Sequence, residues 1–231
     1  LVHGDLDVQA RAQYWLGYIL YGLGRYREAR SKADLALLLS RQTGDAAMVA
    51  QVEATLGQIL AATCHYDAAI QNMDLAIESK RKRARPGSGI AVGSAYTLAC
   101  KGSMLADRGE FASAHLCFDE AIHLLADTTH PVGNSVRNWL TIALIWESRW
   151  PQARRVAVDS VRIAENTRAL YQLAVSRSTL GYARWCEDGS PEGLQLLRDA
   201  VSWLEGNQGR LFTSLHFGWL AEACVVEGQV S

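Results

Sequence analysis

Proline is scarce in this chain, four residues in 231, and Pro131, Pro151 and Pro191 fall where a helix would begin. A chain so short of proline can run in long uninterrupted helices. Strand signals are equally thin, because β-branched runs are short and seldom alternate with polar residues. Net charge is also missing, with 23 basic residues against 24 acidic, so the basic excess of a dedicated nucleic-acid binder is not there. No apolar run approaches the roughly 18 residues of a membrane span, and no signal-peptide pattern opens the sequence. The five cysteines, Cys64, Cys100, Cys117, Cys186 and Cys224, are odd in number and show no CxxC pair. They read as reduced, buried, small hydrophobes in a reducing compartment, the cytoplasm. None of the histidines, His3, His65, His115, His123, His130 and His216, falls in an HExxH or comparable metal spacing. A phosphate loop and a Ser-His-Asp hydrolase motif are lacking too. The chain therefore reads as non-catalytic, with no metal and no cofactor. It does not begin with Met, opens in His3-Gly4-Asp5 and stops inside a repeat, which gives the expectation of a piece from a longer protein.

What the sequence does contain is a pattern repeated at a pitch of about 40 residues. Leu16-Gly17 is followed by Gly24, Tyr26, Ala29, Ala33 and Ala36; Leu56-Gly57 by Tyr66, Ala69, Met73 and Ala76; Gly102 by Gly109, Phe111, Ala114, Phe118 and Ala121. Leu140-Thr141 leads to Trp150, Ala153, Ala157 and Ser160, and Leu180-Gly181 to Gly193, Leu197 and Ala200, while Leu220-Ala221 begins a partial sixth copy. In each complete copy the first small residue stands 12 positions before a second, Gly17 before Ala29 and Gly181 before Gly193. Such small residues let two helices approach closely.

Each unit reads as a helix A and a helix B. The first pair spans about 7–23 and 26–42, with Asp7 as N-cap, Gly44 ending helix B and Asp45 capping the next helix. Later A helices are expected over about 45–63, 89–107, 132–148, 168–187 and 211–227, and B helices over 66–84, 111–126, 150–166 and 191–206. The units are 7–44, 45–87, 88–130, 131–167, 168–208 and a partial 209–231, all in one superhelical domain; Pro86-Gly87-Ser88-Gly89 is an inter-repeat loop within it.

These positions resemble the tetratricopeptide repeat along essentially the whole chain. Thr141 and Ser160 depart from the pattern in the fourth unit, and Ser190-Pro191 replaces the turn aromatic in the fifth. The resemblance implies an all-α, right-handed α-solenoid of about five and a half repeats. The units are longer than the usual 34 residues. Long units of this kind look like those of large bacterial signalling proteins, such as MalT-like transcriptional activators and ATPases joined to a cyclase.

The resemblance also implies a concave groove lined by helix A. The register places Arg11, Tyr14, Tyr18 and Tyr21 there in the first unit and Gln51, Gln58 and Ala61 in the second. Tyr96, Ser103 and Asp107 follow from the third, Ser135, Asn138, Ile142 and Trp146 from the fourth, Ser178, Tyr182 and Trp185 from the fifth, and Glu222 from the partial sixth. Such a lining suits a peptide, a helix or another domain of the same protein; the alternative for each aromatic is packing between neighbouring helices. The Lys, Asn and Arg clamp by which some relatives hold a chaperone tail is not present, since its positions carry Arg11, Tyr14, Gln51, Ala54 and Gln58. The charge run Lys80-Arg81-Lys82-Arg83-Ala84-Arg85 either closes a helix at its carbonyl end or contacts nucleic acid, an anionic lipid or an acidic partner. Arg137, Arg177 and Arg184 are expected to pair with Glu147, Glu165 and Glu187, the alternative being an anion site on adjacent helices. Three functions stay open: an interaction and sensing scaffold, a nucleic-acid binder using 80–85, and self-association through exposed repeat ends, as in a homodimer.

Overall fold

A computed structural model describes residues 3–84, 90–126, 130–207 and 213–228. Among them are eleven helices and no strand: α1 (His3–Gly22), α2 (Tyr26–Thr43), α3 (Ala46–Ala61), α4 (Tyr66–Arg83), α5 (Ile90–Asp107), α6 (Phe111–Leu124), α7 (Val132–Trp146), α8 (Trp150–Thr167), α9 (Leu170–Asp188), α10 (Pro191–Gly206) and α11 (Thr213–Val226). The boundaries lie within a few residues of those expected. The first helix starts four residues earlier than expected, so Asp7 is not its cap; it lies inside α1, where its carboxylate accepts from Arg11 Nε at 3.2 Å. Gly44 does close α2 at φ +73°, and Asp45 does cap α3, accepting from the Ala47 and Met48 amides at 3.0 Å. Arg85 and Pro86–Gly89 lie outside the described residues.

The helices pair as the repeat demands. Each odd-numbered helix packs most extensively on the even one that follows, the even helix packs on the next odd one, and successive odd helices touch along one side. The result is an α-solenoid.

The turn inside each pair is the same device in four units. After α1, the Arg25 amide bonds to Leu20 O and the Gly24 amide to Tyr21 O, both at 2.9 Å. His65 and Cys64, Glu110 and Gly109, and Arg149 and Ser148 repeat both bonds after α3, α5 and α7. This is a Schellman closure, and its penultimate residue must be left-handed. Gly24 and Gly109 take positive φ freely, whereas Cys64 (φ 62°) and Ser148 (φ 57°) do so against the steric preference of an L side chain. Cys64 is therefore an exposed turn residue, not a buried helical one, and among the five cysteines only Cys100 is fully buried.

The paired small residues sit where the helices cross. A Cβ added to Gly17 would lie 3.2 Å from Ala29 O, and one added to Gly57 would lie 3.0 Å from Ala69 O and 2.9 Å from Met73 Cε. At Gly102 it would meet the Phe118 ring at 3.0 Å. The tightest crossing is in the fifth unit, where a Cβ on Gly181 would lie 2.6 Å from Gly193 O and 2.7 Å from Leu197 N. The fourth unit admits Thr141 instead, fully buried, with its hydroxyl donating to Arg137 O at 2.8 Å.

The crossing distances set the ranking of substitutions. Gly181→Ala forces a backbone shift and is expected to cost about 2 kcal/mol. Gly17→Ala meets Ala29 O at 3.2 Å, Ala33 N at 3.3 Å and Lys32 Cβ at 3.4 Å, which asks for a smaller shift, and it gains helix propensity of about 1 kcal/mol, so it should cost much less than Gly181→Ala. Urea midpoints of the two variants check this; equal midpoints would show that the crossing is not rigid.

Candidate functional site: the concave face

The odd-numbered helices present a continuous aromatic and amide lining, which three adjoining cavities occupy. One of about 260 Å³ lies among Tyr14, Gln51, Thr55, Gln58, Tyr96 and Lys80. One of about 170 Å³ shares Tyr18 and Tyr96 with it and extends to Asn138, Trp139 and Tyr171. The third, about 300 Å³, shares Gln58 with the first and runs past Tyr21, Tyr66, Ser103 and Asp107. A larger cavity of about 500 Å³ opens elsewhere, between the ends of α6 and α8 and the start of α7, beside His123, Arg137 and Arg162; it has no aromatic lining.

The tyrosines hold one another. Gln51 Nε2 donates to Tyr14 Oη at 2.7 Å, and the Tyr14 and Tyr18 rings stack at 6.3 Å. Tyr96 and Tyr18 share a hydrogen bond, and the Tyr96 ring packs on Trp139 at 5.4 Å. Burial is the main reason that Tyr21 and Tyr96 hold their protons well above the usual phenol range. Beside them the Cys100 thiol is pushed up to about 12 by its own burial, so it carries no charge. At the far edge Tyr66 Oη donates to Asp107, whose carboxyl is raised to about 6 by burial.

Of the residues placed in the groove from sequence, Tyr14, Tyr18, Tyr21, Gln51, Gln58, Ala61, Tyr96, Ser103, Asp107, Ser135 and Ile142 come together around these cavities. The others do different things. Arg11 is held at the rim by Asp7 and Asp45. Asn138 reaches the second cavity but is 4% exposed; it donates to Asn134 Oδ1 and accepts from Ser160 Oγ, within a buried network that includes Ser176. That network explains why Ser160 stands where other units carry alanine. Trp146 lies exposed at the end of α7 and lines none of the three cavities. Tyr182 is buried, stacked on Trp219 at 4.7 Å, and donates to Glu222 at 2.7 Å; Trp185 Nε1 donates to Glu227 at 2.9 Å. Those two aromatics join α9 to α11 and do not line the cavities, which is the packing alternative.

Trp139, Tyr171 and Lys80 are groove residues that the helix A register passes over. Trp139 stands two before Thr141 and Tyr171 ten before Gly181, outside the positions that the repeat assigns. Lys80 was legible in another way, because it continues the Ala69, Met73, Ala76 stripe of α4 and so belongs to the buried face. The basic run does not form one surface: Arg81 pairs with Glu120, Lys82 with Glu78, and Arg83 bonds Ser79 O. Arg177 pairs with Glu165 as expected, but Glu147 pairs with His115 and Arg149, Glu187 with Arg154, and Arg137 bonds Gly133 O on its own helix. Among the described residues no group of three or more His, Cys, Asp or Glu converges on a metal-sized point. No helix there is long and apolar enough to cross a membrane.

No family model matches the chain, and no curated protein does. Solved structures do. The apo form of RapI matches with a TM-score of 0.70 and 15% identity, over 96% of this chain and 85% of that one. The TPR-like repeats of a putative kinesin light chain from Podosopora anserina match with a TM-score of 0.62, 15% identity and coverage of 88% and 99%. A variant of those same repeats gives 0.63 and 14%, over 87% of this chain and 97% of that one. At such identities the likeness shows the fold, which is that of a tetratricopeptide-like α-solenoid.

The end of the lining next to α11 carries a titratable lock. His216 is fully buried, its Nδ1 bonded to Ser178 Oγ, its ring edge-on to Trp219 at 5.3 Å, and its Nε2 has no partner among the described residues. Burial lowers its pKa to about 4. Above pH 6.5 the ring is neutral whether the chain is folded or not, and nothing is lost. Between pH 6.5 and 4 the unfolded chain takes up the proton and the folded one does not, so stability falls with pH, by up to about 3 kcal/mol. Denaturation midpoints measured from pH 7.5 to 4.5 should show this fall in the natural protein and a flatter profile in a Ser178→Ala/His216→Leu variant; parallel profiles would remove His216 as the cause.

Proposed function

We propose that the protein is a non-catalytic interaction scaffold that takes a peptide or protein segment along its concave face. The observation that carries this reading is the chain of three adjoining cavities lined by Tyr14, Tyr18, Tyr96, Gln51 and Gln58. Aromatic rings of two torsions give contact area at low entropic cost, and the amides bond a peptide backbone. An extended segment can follow such a groove across successive repeats. The length of the units supports a regulatory or sensing part in a larger bacterial cytoplasmic protein, with the bound segment supplied by a partner or by another domain of that protein. The dispersal of the 80–83 cations, with Arg81 and Lys82 in separate ion pairs, Arg83 on a backbone carbonyl and Lys80 buried, speaks against a nucleic-acid surface.

The test is selection of displayed 12-residue peptides on the protein, followed by affinity measurement with Tyr18→Ala/Tyr96→Ala. The double variant should bind the selected peptides at least about tenfold more weakly. Unchanged affinity with an intact fold would move the binding surface elsewhere.

A second reading, self-association, is favoured by the outer face of α1. Val8, Trp15, Leu16, Ile19 and Leu23 are 64, 57, 45, 55 and 56% exposed on one stripe. The repeat equivalents of Trp15, Leu16 and Ile19 in α3 are Thr55, Leu56 and Ile59, and all three are buried where the preceding unit packs. The stripe is also symmetric about its centre: antiparallel pairing with a second copy sets Val8 against Leu23, Ala12 against Ile19 and Trp15 against Leu16, as an isologous contact needs. Sedimentation should show a dimer that dissociates on dilution and is abolished by Trp15→Glu; a monomer at all concentrations would reject it.

A further inference from the structure

The four buried positions along each even-numbered helix end differently in one unit. After Ala29, Ala33 and Ala36 comes Ser40; the same place is filled by Leu125, Ala164 and Leu204 in the third, fourth and fifth units. In the second unit it is Lys80, only 7% exposed. Its ammonium donates to Gly93 O at 3.1 Å and to Thr97 Oγ1, both on α5. Two neutral acceptors satisfy two of its three hydrogens, but they do not balance its charge. No carboxylate among the described residues lies within ion-pair distance of it, although most of its charged neighbours along α4 have one.

A buried cation without a counter-ion is costly. That cost is visible in the amine itself, which burial pushes down to about 8 with Arg83 adding to the effect, so that it is still charged at neutral pH. The nearby Cys100 is held as a neutral thiol and supplies no negative charge. Lys80 borders the 260 Å³ cavity of the groove, and it is the single charged residue among those that line that cavity. Around it stand Gln51, Gln58, Thr55 and Tyr96, which are hydrogen-bonding groups without charge.

We propose that Lys80 is the anchor of a carboxylate subsite in the groove, receiving the carboxylate of a bound peptide segment. The inference rests on the groove as the binding face, and it adds a charge requirement to a lining that otherwise selects only for shape and hydrogen bonds. A carboxylate entering the cavity takes the third ammonium hydrogen and completes the ion pair in a poorly solvated place, in a cavity that the Gln51 and Gln58 amides also line.

The probe is acetate, followed by the carbon resonance next to the Lys80 amine in protein carrying labelled lysine. Acetate should shift that resonance saturably at neutral pH, whereas acetamide and an equal concentration of chloride should not. A response that fails to saturate, or that chloride reproduces, overturns the proposal. Lys80→Met keeps the volume and removes the charge; thermal stabilisation by acetate should be lost with it, while a role limited to joining α4 to α5 would leave stabilisation unchanged. Should that variant fail to fold, the resonance of the natural protein still decides. Two peptides separate the sources of the carboxylate: Ac-Ala-Ala-Glu-Ala-Ala-NH2 carries it on a side chain and Ac-Ala-Ala-Gln-Ala-Ala-OH at the chain terminus. The one that displaces acetate names the source, and displacement by neither overturns the peptide as its carrier. Loss of selected peptides in Tyr18→Ala/Tyr96→Ala without any acetate response sinks the anchor alone. An acetate response with peptide binding untouched by those substitutions sinks the groove reading alone.

Discussion

The two helices of a unit meet along a line where one side chain is reduced to a hydrogen atom. Gly17, Gly57, Gly102 and Gly181 each face a backbone carbonyl or a core side chain at a distance that a methyl group would fill or exceed. Everything else in the solenoid depends on that approach. With the axes close, the Ala33, Met73, Phe118, Ala157 and Leu197 side chains can seal each pair. The outer flank of the even helix is then free to pack on the next odd one. Because four units share the glycine contact, with Thr141 in its place in the fourth, and the first four share the Schellman turn, the units stack in register and their odd helices fall on one side.

That side is where the chain has chemical variety. The crossing positions tolerate few residue types, so differences accumulate on the odd-helix face, as tyrosines in α1 and α5, glutamines in α3 and an asparagine in α7. Towards α11 the same kind of position is used for structure, with Tyr182 on Trp219 and His216 against Ser178 closing the packing of the last helix. One lining thus serves as an open groove near α1, α3 and α5 and as packing between α9 and α11. The difference lies in whether another helix covers it.

Much of the fold was legible residue by residue. Gly24, Cys64, Gly109 and Ser148 recur before an aromatic, and all four prove to be left-handed closures. Pro131, Pro151 and Pro191 start helices, and Gly44-Asp45 ends one helix and caps the next. The site was legible only in part. Tyr14, Tyr18, Tyr96, Gln51 and Gln58 follow from the register of helix A. Trp139 and Tyr171 do not, because whether a ring enters the groove depends on how far adjacent units rotate. Asn138 carries the polarity of a groove residue, yet Asn134, Ser160 and Ser176 draw it into the interior. Lys80 looked like one cation in a helix-ending run, whereas its place on the α4 stripe turns it inward.

By itself the amino-acid sequence determined the helices, their pairing and the direction in which units repeat. Those are consequences of local spacing: small residues 12 apart, turn residues between them and apolar stripes of helical period. The tertiary structure decided which charges find partners and which aromatics are left uncovered. Arg81 reaches Glu120 from 39 residues away, and the partners of Tyr14 and Tyr182 lie 37 and 40 residues away. Contacts over such separations depend on the stacking of whole units, and no pattern within a single unit specifies them.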